Sequence, residues 1–397
     1  MTRVLIQELK CVGHCVPYAL ELAEVVASGG DEVLLVLNGI LKEDSVFVSA
    51  IERLSDRVAV RYSEPVVLDY NASATARLER DSLQARIDAF EPHRVILPTA
   101  DTLVRRCAFD RRYRDRLRDS ERSWELVVHS VPASSPGLPI RRLLRACNNS
   151  LALRRSSRAR LLTPEPYCSI GPGRNRLLPT ANRGLGLLPY PMPDSTGLDR
   201  EAARASLGLP ESGRLLVVPG VIDPRKSIVR LLAARSELSG LLDGIVLAGP
   251  VADVLRPVVQ AARKTPGPTL HVLDRYLPGD DFVNAFLAAD LVWAVYPRWC
   301  GIATIQFLAA RLDRRCLVDR THLPAVWVAR ETPGCAVVGD SIHDAVKALL
   351  AEAPGDAGFV RAVTSSEARR AVLCEDLSIH SPEALHRQGS FQERGRS

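Results

Sequence analysis

Two stretches of the sequence combine loop residues with groups suited to binding an anion, and the first is "PGVIDPRKSI". There Gly220 ends an apolar run, and Arg225 and Lys226 follow as adjacent cations. An ammonium group is a compact charge that suits a phosphate, whereas a guanidinium forks onto two oxygens. Lys226 is also one of only five lysines among 52 Lys and Arg residues. The spacing favours a phosphate-binding loop between a strand and a helix, and a solvated pair of charges at a turn is the alternative.

The second stretch, "YPRWCGIATIQFLAARLDRRCLV", is typical of a tight loop, an apolar helix and a buried strand. Gly301 permits close approach of the backbone, and a helix that begins near Ile302 directs its amide groups and positive dipole end toward an anion. Gln306 carries an amide that both accepts and donates hydrogen bonds. Arg298 either clamps a phosphate or an acidic sugar or is an exposed loop residue, and both interpretations stay open.

The N-terminal half holds four further candidates at predicted strand ends. Gly13 and His14 lie between the first strand and the first helix, and Asp101 follows the strand "HRVILPTA". His129 ends the strand "WELVVHS", and histidine is the usual side chain for proton transfer near neutral pH. Asp101 is suited to binding a hydroxyl group. The structural alternatives are a helix-cap neighbour for His14 and a backbone-bonded histidine for His129.

The elements that must position these residues alternate along the chain. Short apolar runs such as "TRVLIQEL", "EVLLVLN", "RLLVVPG" and "DLVWAVYP" are separated by helical patterns. Strand, helix and strand in succession predict parallel sheets with crossover helices. A proline-bearing connector divides the pattern, so we predict two α/β domains, residues 1–185 and 186–350. Ligands bind at the carboxyl ends of parallel strands, so both domains are expected to direct loops to a shared cleft.

The order and spacing of these segments resemble family-4 glycosyltransferases, most closely from Leu187 to Gly339. The segments that carry the resemblance include "LLPYPMP", "LLVVPGVIDPRKSIVRLLAA", "GIVLAGP" and "VLDRYLPGDDFVNAFLAADLVWAVYPRWCGIATIQFLAA". The resemblance implies the GT-B fold, two Rossmann-like domains facing each other across a cleft. It also implies that C-terminal helices in residues 351–380 cross back to the N-terminal domain. Residues 381–397 are polar without periodicity and are predicted to be a disordered tail.

In that family a glycine ends the first strand of the C-terminal domain, and an arginine comes next. A lysine six residues after the glycine then helps to neutralise the donor diphosphate. Gly220 and Lys226 match this pattern, whereas Val221 replaces the arginine and Ser227 replaces the glycine after the lysine. Arg225 would then supply the missing guanidinium.

The family pattern in the second stretch is a glutamate that faces the transferred sugar and another, eight residues later, that binds the ribose. Arg298 and Gln306 stand at these two positions, and Gly301 fits a glycine of the intervening turn. The resemblance also places Gly13 and His14 near the donor phosphate. His129 lies where the family often carries a histidine in the cleft.

The resemblance implies a retaining transferase that moves a sugar from a nucleotide-sugar donor to a hydroxyl acceptor, a glycan or a lipid-linked molecule. We expect His129 to be catalytic, and Asp101 to bind the acceptor. No metal or other cofactor is expected, because no Asp-x-Asp cluster is present and basic groups would neutralise the leaving diphosphate. The alternative is a non-catalytic GT-B protein that binds a nucleotide, a sugar or a protein partner, since Val221, Arg298 and Gln306 depart from the family pattern.

The composition indicates the compartment in which the protein works and the classes of partner that it binds. The nine cysteines form no metal-binding pattern and predict reduced thiols in a cytoplasmic protein. No apolar stretch is long enough to span a bilayer. Arginines accumulate in residues 140–160 and would form a basic amphipathic helix. Such a helix either contacts the inner face of a membrane or packs its apolar face on the protein core with its charged face in solvent. A net charge of only +6, without aromatic residues among the basic ones, argues against nucleic acid.

Overall fold

The apolar runs of both halves form parallel sheets in the structure. The computed structural model describes residues 1–11, 15–65, 73–100, 122–127, 159–163, 185–188, 192, 195–277, 279–297, 303–322, 325–326, 329, 334–351 and 373. The chain divides between Pro191 and Met192 into an N-terminal and a C-terminal unit. The predicted C-terminal helices lie outside the described residues apart from Ala351 and Leu373, and the predicted tail lies outside them entirely.

The N-terminal unit is built on seven parallel strands in the order β3-β2-β1-β4-β5-β6-β7. These are β1 (Arg3–Glu8), β2 (Glu32–Leu37), β3 (Val58–Tyr62), β4 (Arg94–Leu97), β5 (Ser123–Val127), β6 (Ala159–Thr163) and β7 (Leu185–Leu187). The described helices are α1 (Cys15–Ser28), α2 (Ser45–Ile51) and α3 (Ser73–Phe90), with a 3₁₀ turn at Gly39–Glu43. Tyr18, Leu22 and Val26 are spaced by four residues and are buried on one face of α1, which fixes that helix on the sheet.

The C-terminal unit has six parallel strands in the order β10-β9-β8-β11-β12-β13. They are β8 (Leu215–Pro219), β9 (Gly244–Ala248), β10 (Thr269–Leu273), β11 (Leu291–Ala294), β12 (Arg315–Asp319) and β13 (Cys335–Val338). The helices are α4 (Arg200–Ser206), α5 (Ile228–Ala233), α6 (Arg256–Arg263), α7 (Gly279–Leu287), α8 (Thr304–Arg311) and α9 (Ile342–Ala351). Every residue of β8, β9 and β11 is buried, as expected for strands covered on both faces.

A buried arginine fastens α4 to the edge of this sheet where the strands begin. Arg204 is only 2% exposed, and its guanidinium donates to the carbonyl oxygens of Ala288, Glu211 and Gly213 at 2.9 to 3.0 Å. It also donates to the carboxylate of Asp290 at 2.8 Å. The same Asp290 oxygen accepts the first amide of β8, from Leu215, at 2.8 Å. Four of the five N–H groups of Arg204 are therefore bonded, and the network fixes where β8 starts.

The predicted pair of parallel α/β sheets is confirmed, and both have the strand order of a Rossmann fold. Each sheet therefore has a switch point, where the chain leaves two neighbouring strands in opposite directions. The switch point lies between β1 and β4 in the N-terminal unit and between β8 and β11 in the C-terminal unit. No helix among the described residues is both long and apolar enough to cross a membrane.

Candidate functional site

The loop after β8 opens the crevice at the C-terminal switch point, and Gly220 is its first residue. Gly220 has a φ angle of +75°, in the left-handed region that favours glycine. A Cβ atom there would lie 3.3 Å from the Nζ atom of Lys226 and 3.8 Å from the ring of Phe282. Glycine at this position leaves open the space beside the lysine ammonium group.

Lys226 is the last residue of the 3₁₀ turn Pro224–Lys226 in this loop. Its side chain is buried, and its Nζ atom donates a hydrogen bond to the carbonyl oxygen of Pro219. The backbone oxygen of Lys226 accepts a hydrogen bond of 2.7 Å from the indole of Trp293, a fully buried residue of β11. Burial lowers the pKa of Lys226 to about 7, with Asp223 opposing this shift and Arg225 adding to it. The lysine is thus held by the sheet itself and titrates near neutrality.

Asp223 is a residue of this loop that the sequence did not single out. Its side chain caps the 3₁₀ turn Pro224–Lys226 by accepting the amide of Arg225 at 2.8 Å. The same carboxylate accepts the Nε and Nη2 groups of Arg225 at 3.0 and 2.5 Å, and this bonding raises the pKa of Arg225. The guanidinium expected to fork onto a phosphate is therefore paired with Asp223, although its side chain is 60% exposed.

In the loop after β8, the structure describes two residues that depart from the family pattern, Val221 and Ser227. Val221, in the place of the family's arginine, is 49% exposed beside Gly220 and presents an uncharged surface. Ser227, in the place of the family's glycine, has φ +52° and ψ +34°, a left-handed conformation that is unfavourable for a residue with a Cβ atom. The backbone at Ser227 therefore has the left-handed conformation that favours glycine.

The next two strands of the sheet beyond β8, β11 and β12, add a tyrosine and a histidine to the same edge. Tyr296 follows β11, and its ring lies edge-on to the ring of His322 after β12, with 6.3 Å between centroids. Burial raises the pKa of Tyr296, and the negative charge of Asp223 adds to the effect. His322 is fully buried, and its amide donates to the oxygen of Asp319 at 3.1 Å. Sequence reasoning could not find this pair, because the two residues follow different strands.

Gln306 is the third residue of α8, in the first turn of the helix, and is fully buried. Its Nε2 group donates a hydrogen bond of 2.9 Å to the backbone oxygen of Ala325. Its Oε1 atom has no hydrogen-bond partner among the described residues. One half of the amide therefore holds the segment after β12, and the other half is a buried acceptor.

The N-terminal switch point holds a second polar cluster, which the sequence reasoning missed. Glu8 ends β1, Lys10 follows it, and Thr99 follows β4. The Thr99 hydroxyl donates to Glu8 Oε2 at 2.5 Å, and the Lys10 amide donates to Glu8 Oε1 at 2.8 Å. The available signal was the pair of charged residues in "QELK", directly after an apolar strand.

Comparisons with known proteins give matches in structure only. No protein-family model and no curated protein sequence matches the chain. Sucrose-phosphate synthase from Thermosynechococcus elongatus matches with a TM-score of 0.63 and 13% identity, covering 100% of this chain and 99% of that one. The protein has the GT-B fold.

Two further solved structures match the chain over nearly its whole length. Anabaena HepE in complex with UDP has a TM-score of 0.59 and 12% identity, with 100% of both chains covered. UDP-GlcNAc 2-epimerase from Methanocaldococcus jannaschii has a TM-score of 0.59 and 10% identity, covering 94% of this chain and 98% of that one. A sucrose-phosphate synthase and a UDP-GlcNAc 2-epimerase both match this architecture, so the matches establish the fold and the reaction must be argued from the site.

The structure of this GT-B protein describes only some of the predicted site residues. Gly220, Lys226 and Arg225 come together in the loop after β8, and Gln306 lies on α8. Six others lie outside the described residues: Gly13, His14, Asp101, His129, Arg298 and Gly301. The Arg-rich segment 140–160 also lies outside them, except for its last two residues. Within the described part of the chain, no group of three or more His, Cys, Asp or Glu residues could hold a metal ion.

Proposed function

We propose that this protein binds a nucleotide sugar at the C-terminal switch point and transfers the sugar to a hydroxyl acceptor. The observation that carries the proposal is the buried ammonium group of Lys226 beside Gly220. Within the described residues, its Nζ atom is bonded only to the oxygen of Pro219, and no carboxylate forms a salt bridge with it. An ammonium group has three donors, so two remain for a ligand.

A diphosphate fits this environment for an energetic reason. A buried charge without a partner is unfavourable, and the lysine responds by lowering its pKa to about 7. A bound diphosphate restores the missing partner and favours the charged form. Gly220 leaves the space beside Nζ open, and ligands of such sheets bind at this edge. During transfer the same charge stabilises the leaving diphosphate.

The other residues have supporting roles in this proposal. Gln306 offers its unpartnered Oε1 to a ribose hydroxyl, and Arg298 supplies a second positive charge in place of the arginine absent at Val221. Gly301 lets the backbone approach the diphosphate. Arg225 joins the site by exchanging Asp223 for a phosphate oxygen, and its 60% exposure permits this movement.

The acceptor side of the proposal rests on the resemblance to the family. His129 is the catalytic residue, Asp101 binds the acceptor hydroxyl, and Gly13 and His14 approach the donor phosphate. Retention of configuration and independence from a metal ion belong to the same proposal. Residues 140–160 bring the protein to anionic lipid when the acceptor is lipid-linked.

A non-catalytic binding protein is the second candidate, and one observation favours it. At the position of the family's arginine the structure has the uncharged, 49% exposed Val221, and the neighbouring Arg225 is neutralised by Asp223. Lys226 is then the only unpaired cation in the described part of the loop. Turnover separates the two candidates: a transferase releases the free nucleotide from a bound nucleotide sugar when an acceptor is present, and a binding protein does not.

Isothermal titration with UDP-glucose, GDP-glucose and ADP-glucose tests the proposal. The wild type should bind at least one donor, and Lys226→Met should weaken that binding by roughly 10- to 100-fold, the loss of one charged hydrogen-bonding partner. Methionine fills a similar volume without a buried charge, so the variant should fold. Lys264→Ala is the matched control, because Lys264 is exposed at the opposite edge of the same sheet and should leave affinity unchanged. If Lys226→Met binds as tightly as the wild type, Lys226 does not hold the diphosphate.

A further inference from the structure

Three arginines lie around one carboxylate at the edge of the C-terminal sheet where its strands begin. Asp290 comes directly before β11 and Arg314 directly before β12, and these two strands are paired neighbours in the sheet. Arg200 and Arg204 are four residues apart on α4, and both form salt bridges with Asp290. The arginine cluster, Arg200, Arg204 and Arg314, is therefore at the opposite end of the strands from the proposed donor site.

The carboxylate of Asp290 is occupied by donors other than Arg314. Its Oδ1 atom accepts a hydrogen bond of 2.6 Å from Arg200. Its Oδ2 atom accepts hydrogen bonds from Arg204 and from the amide of Leu215, each of 2.8 Å. One negative charge is thus shared by two guanidinium groups, so it cannot also compensate the charge of Arg314.

Arg314 is the member of the arginine cluster whose charge lacks a bonded partner. Within the described residues its guanidinium forms no hydrogen bond or salt bridge, and its Nε atom is buried. Burial lowers the pKa of Arg314, and the charges of Arg200 and Arg204 lower it further, while Asp290 and Asp313 oppose the shift. Asp313 is exposed, so solvent screens much of its attraction. A partly buried cation therefore lies beside two other cations.

The unused N–H groups of the arginine cluster determine which class of ligand fits. A guanidinium has five N–H donors. Among the described residues Arg200 uses one of them, on Asp290, and Arg314 uses none in its side chain. Each guanidinium fork matches a pair of oxygen atoms. A carboxylate has only enough oxygen atoms for one fork, whereas a phosphate group has enough to accept from both and carries more negative charge.

We propose that the arginine cluster binds a phosphate group, free or carried as a monoester, between the guanidinium groups of Arg200 and Arg314. Asp290 holds Arg200 in position, and Arg204 stays bonded to Asp290 and to backbone oxygens. The bound phosphate gives the partly buried charge of Arg314 its missing partner and so stabilises the C-terminal unit. This site shares no residue with the proposed donor site and does not depend on the proposed transfer reaction.

Protection of arginines from phenylglyoxal, followed by peptide mass spectrometry, locates the bound phosphate. Saturating inorganic phosphate should slow the modification of Arg200 and Arg314 at least about threefold, because their N–H groups become bonded. Arg263, which is exposed on α6, should react at an unchanged rate. Equal protection by methyl phosphate would identify the ligand as a monoester, and protection by inorganic phosphate alone would identify the free anion. Equal protection by acetate, or equal slowing of all three arginines, would overturn the proposal.

Isothermal titration with inorganic phosphate measures the contribution of Arg314. Arg314→Gln should weaken binding by roughly 10- to 100-fold, the loss of one charged hydrogen-bonding partner. This variant should fold, because it removes a charge that burial disfavours. Arg263→Gln is the matched control and should bind phosphate like the wild type.

Lys226→Met separates the arginine cluster from the proposed donor site. Phosphate affinity at the arginine cluster should stay within about twofold of the wild type in this variant, because the two sites share no residue. Loss of phosphate binding in Lys226→Met with binding retained in Arg314→Gln would place the phosphate at the donor site and overturn the proposal. If the wild type binds no nucleotide sugar, the proposed function fails, whereas the phosphate titration still decides whether the arginine cluster is a site.

Discussion

A bound diphosphate should change the protonation of Lys226, and this change can be measured without knowing the acceptor. In the free protein the pKa of Lys226 is about 7, because its ammonium group is buried. A diphosphate next to Nζ favours the charged form and raises that pKa again. Binding above neutral pH must therefore take up a proton from solution.

The size of the effect follows from the position of the pKa. At pH 8 a group with a pKa of about 7 is charged in only about one molecule in eleven, so full charging on binding takes up about 0.9 proton. At pH 6 the uptake is only about 0.1 proton. Because the ligand binds the protonated form, affinity should fall as the pH rises through 7, by about tenfold or 1.4 kcal/mol between pH 6 and pH 8.

Isothermal titration of UDP-glucose in two buffers with different ionisation enthalpies gives the number of protons taken up. UDP-glucose is the appropriate probe, because its diphosphate has no terminal group that titrates near neutral pH. Lys226→Arg is the control variant, since a guanidinium stays charged throughout this range and should abolish the uptake. Measurable binding at pH 8 with no proton uptake by the wild type would refute the placement of Lys226 against the diphosphate.

Two further predictions concern stability in urea denaturation. Ser227→Gly should raise the free energy of unfolding by roughly 0.5–1 kcal/mol, because glycine adopts the left-handed backbone at φ +52° without strain. This gain is partly offset by the greater flexibility of glycine in the unfolded chain. A loss of stability would show that the serine makes a compensating contact. Arg204→Met should lower the free energy of unfolding by roughly 3–5 kcal/mol, because it removes four buried hydrogen bonds and leaves Asp290 without its buried partner. Arg263→Met, at an exposed position on α6, should change stability by less than about 0.5 kcal/mol.

The sequence predicts the central strands well, because their composition reflects burial on both faces. β8, β9 and β11 are continuous apolar runs, and all their residues are buried. β3 was not predicted: its sequence, "VAVRY", alternates in burial at the edge of the sheet, where one face meets solvent. β7 has only three residues and gives too short a pattern to detect.

The site was predictable only where one short segment carries it. Gly220 and Lys226 are six residues apart in one loop, so spacing alone brings them together. The pairing of Arg225 with Asp223 depends on which way a side chain turns, and spacing does not determine that. The bond between Glu8 and Thr99 joins residues 91 positions apart, so it depends on which strands become neighbours.

The hydrogen bond from Trp293 to the backbone of Lys226 links the loop to the largest side chain buried in the C-terminal core. The packing of the sheet consequently sets the position of the ammonium group, and substitutions in the loop alone cannot move it. Under the proposed function, changes of donor preference are therefore expected at exposed residues of the loop such as Val221. We therefore expect substitutions to be tolerated at the exposed rim of the loop and to be harmful at the buried anchoring point.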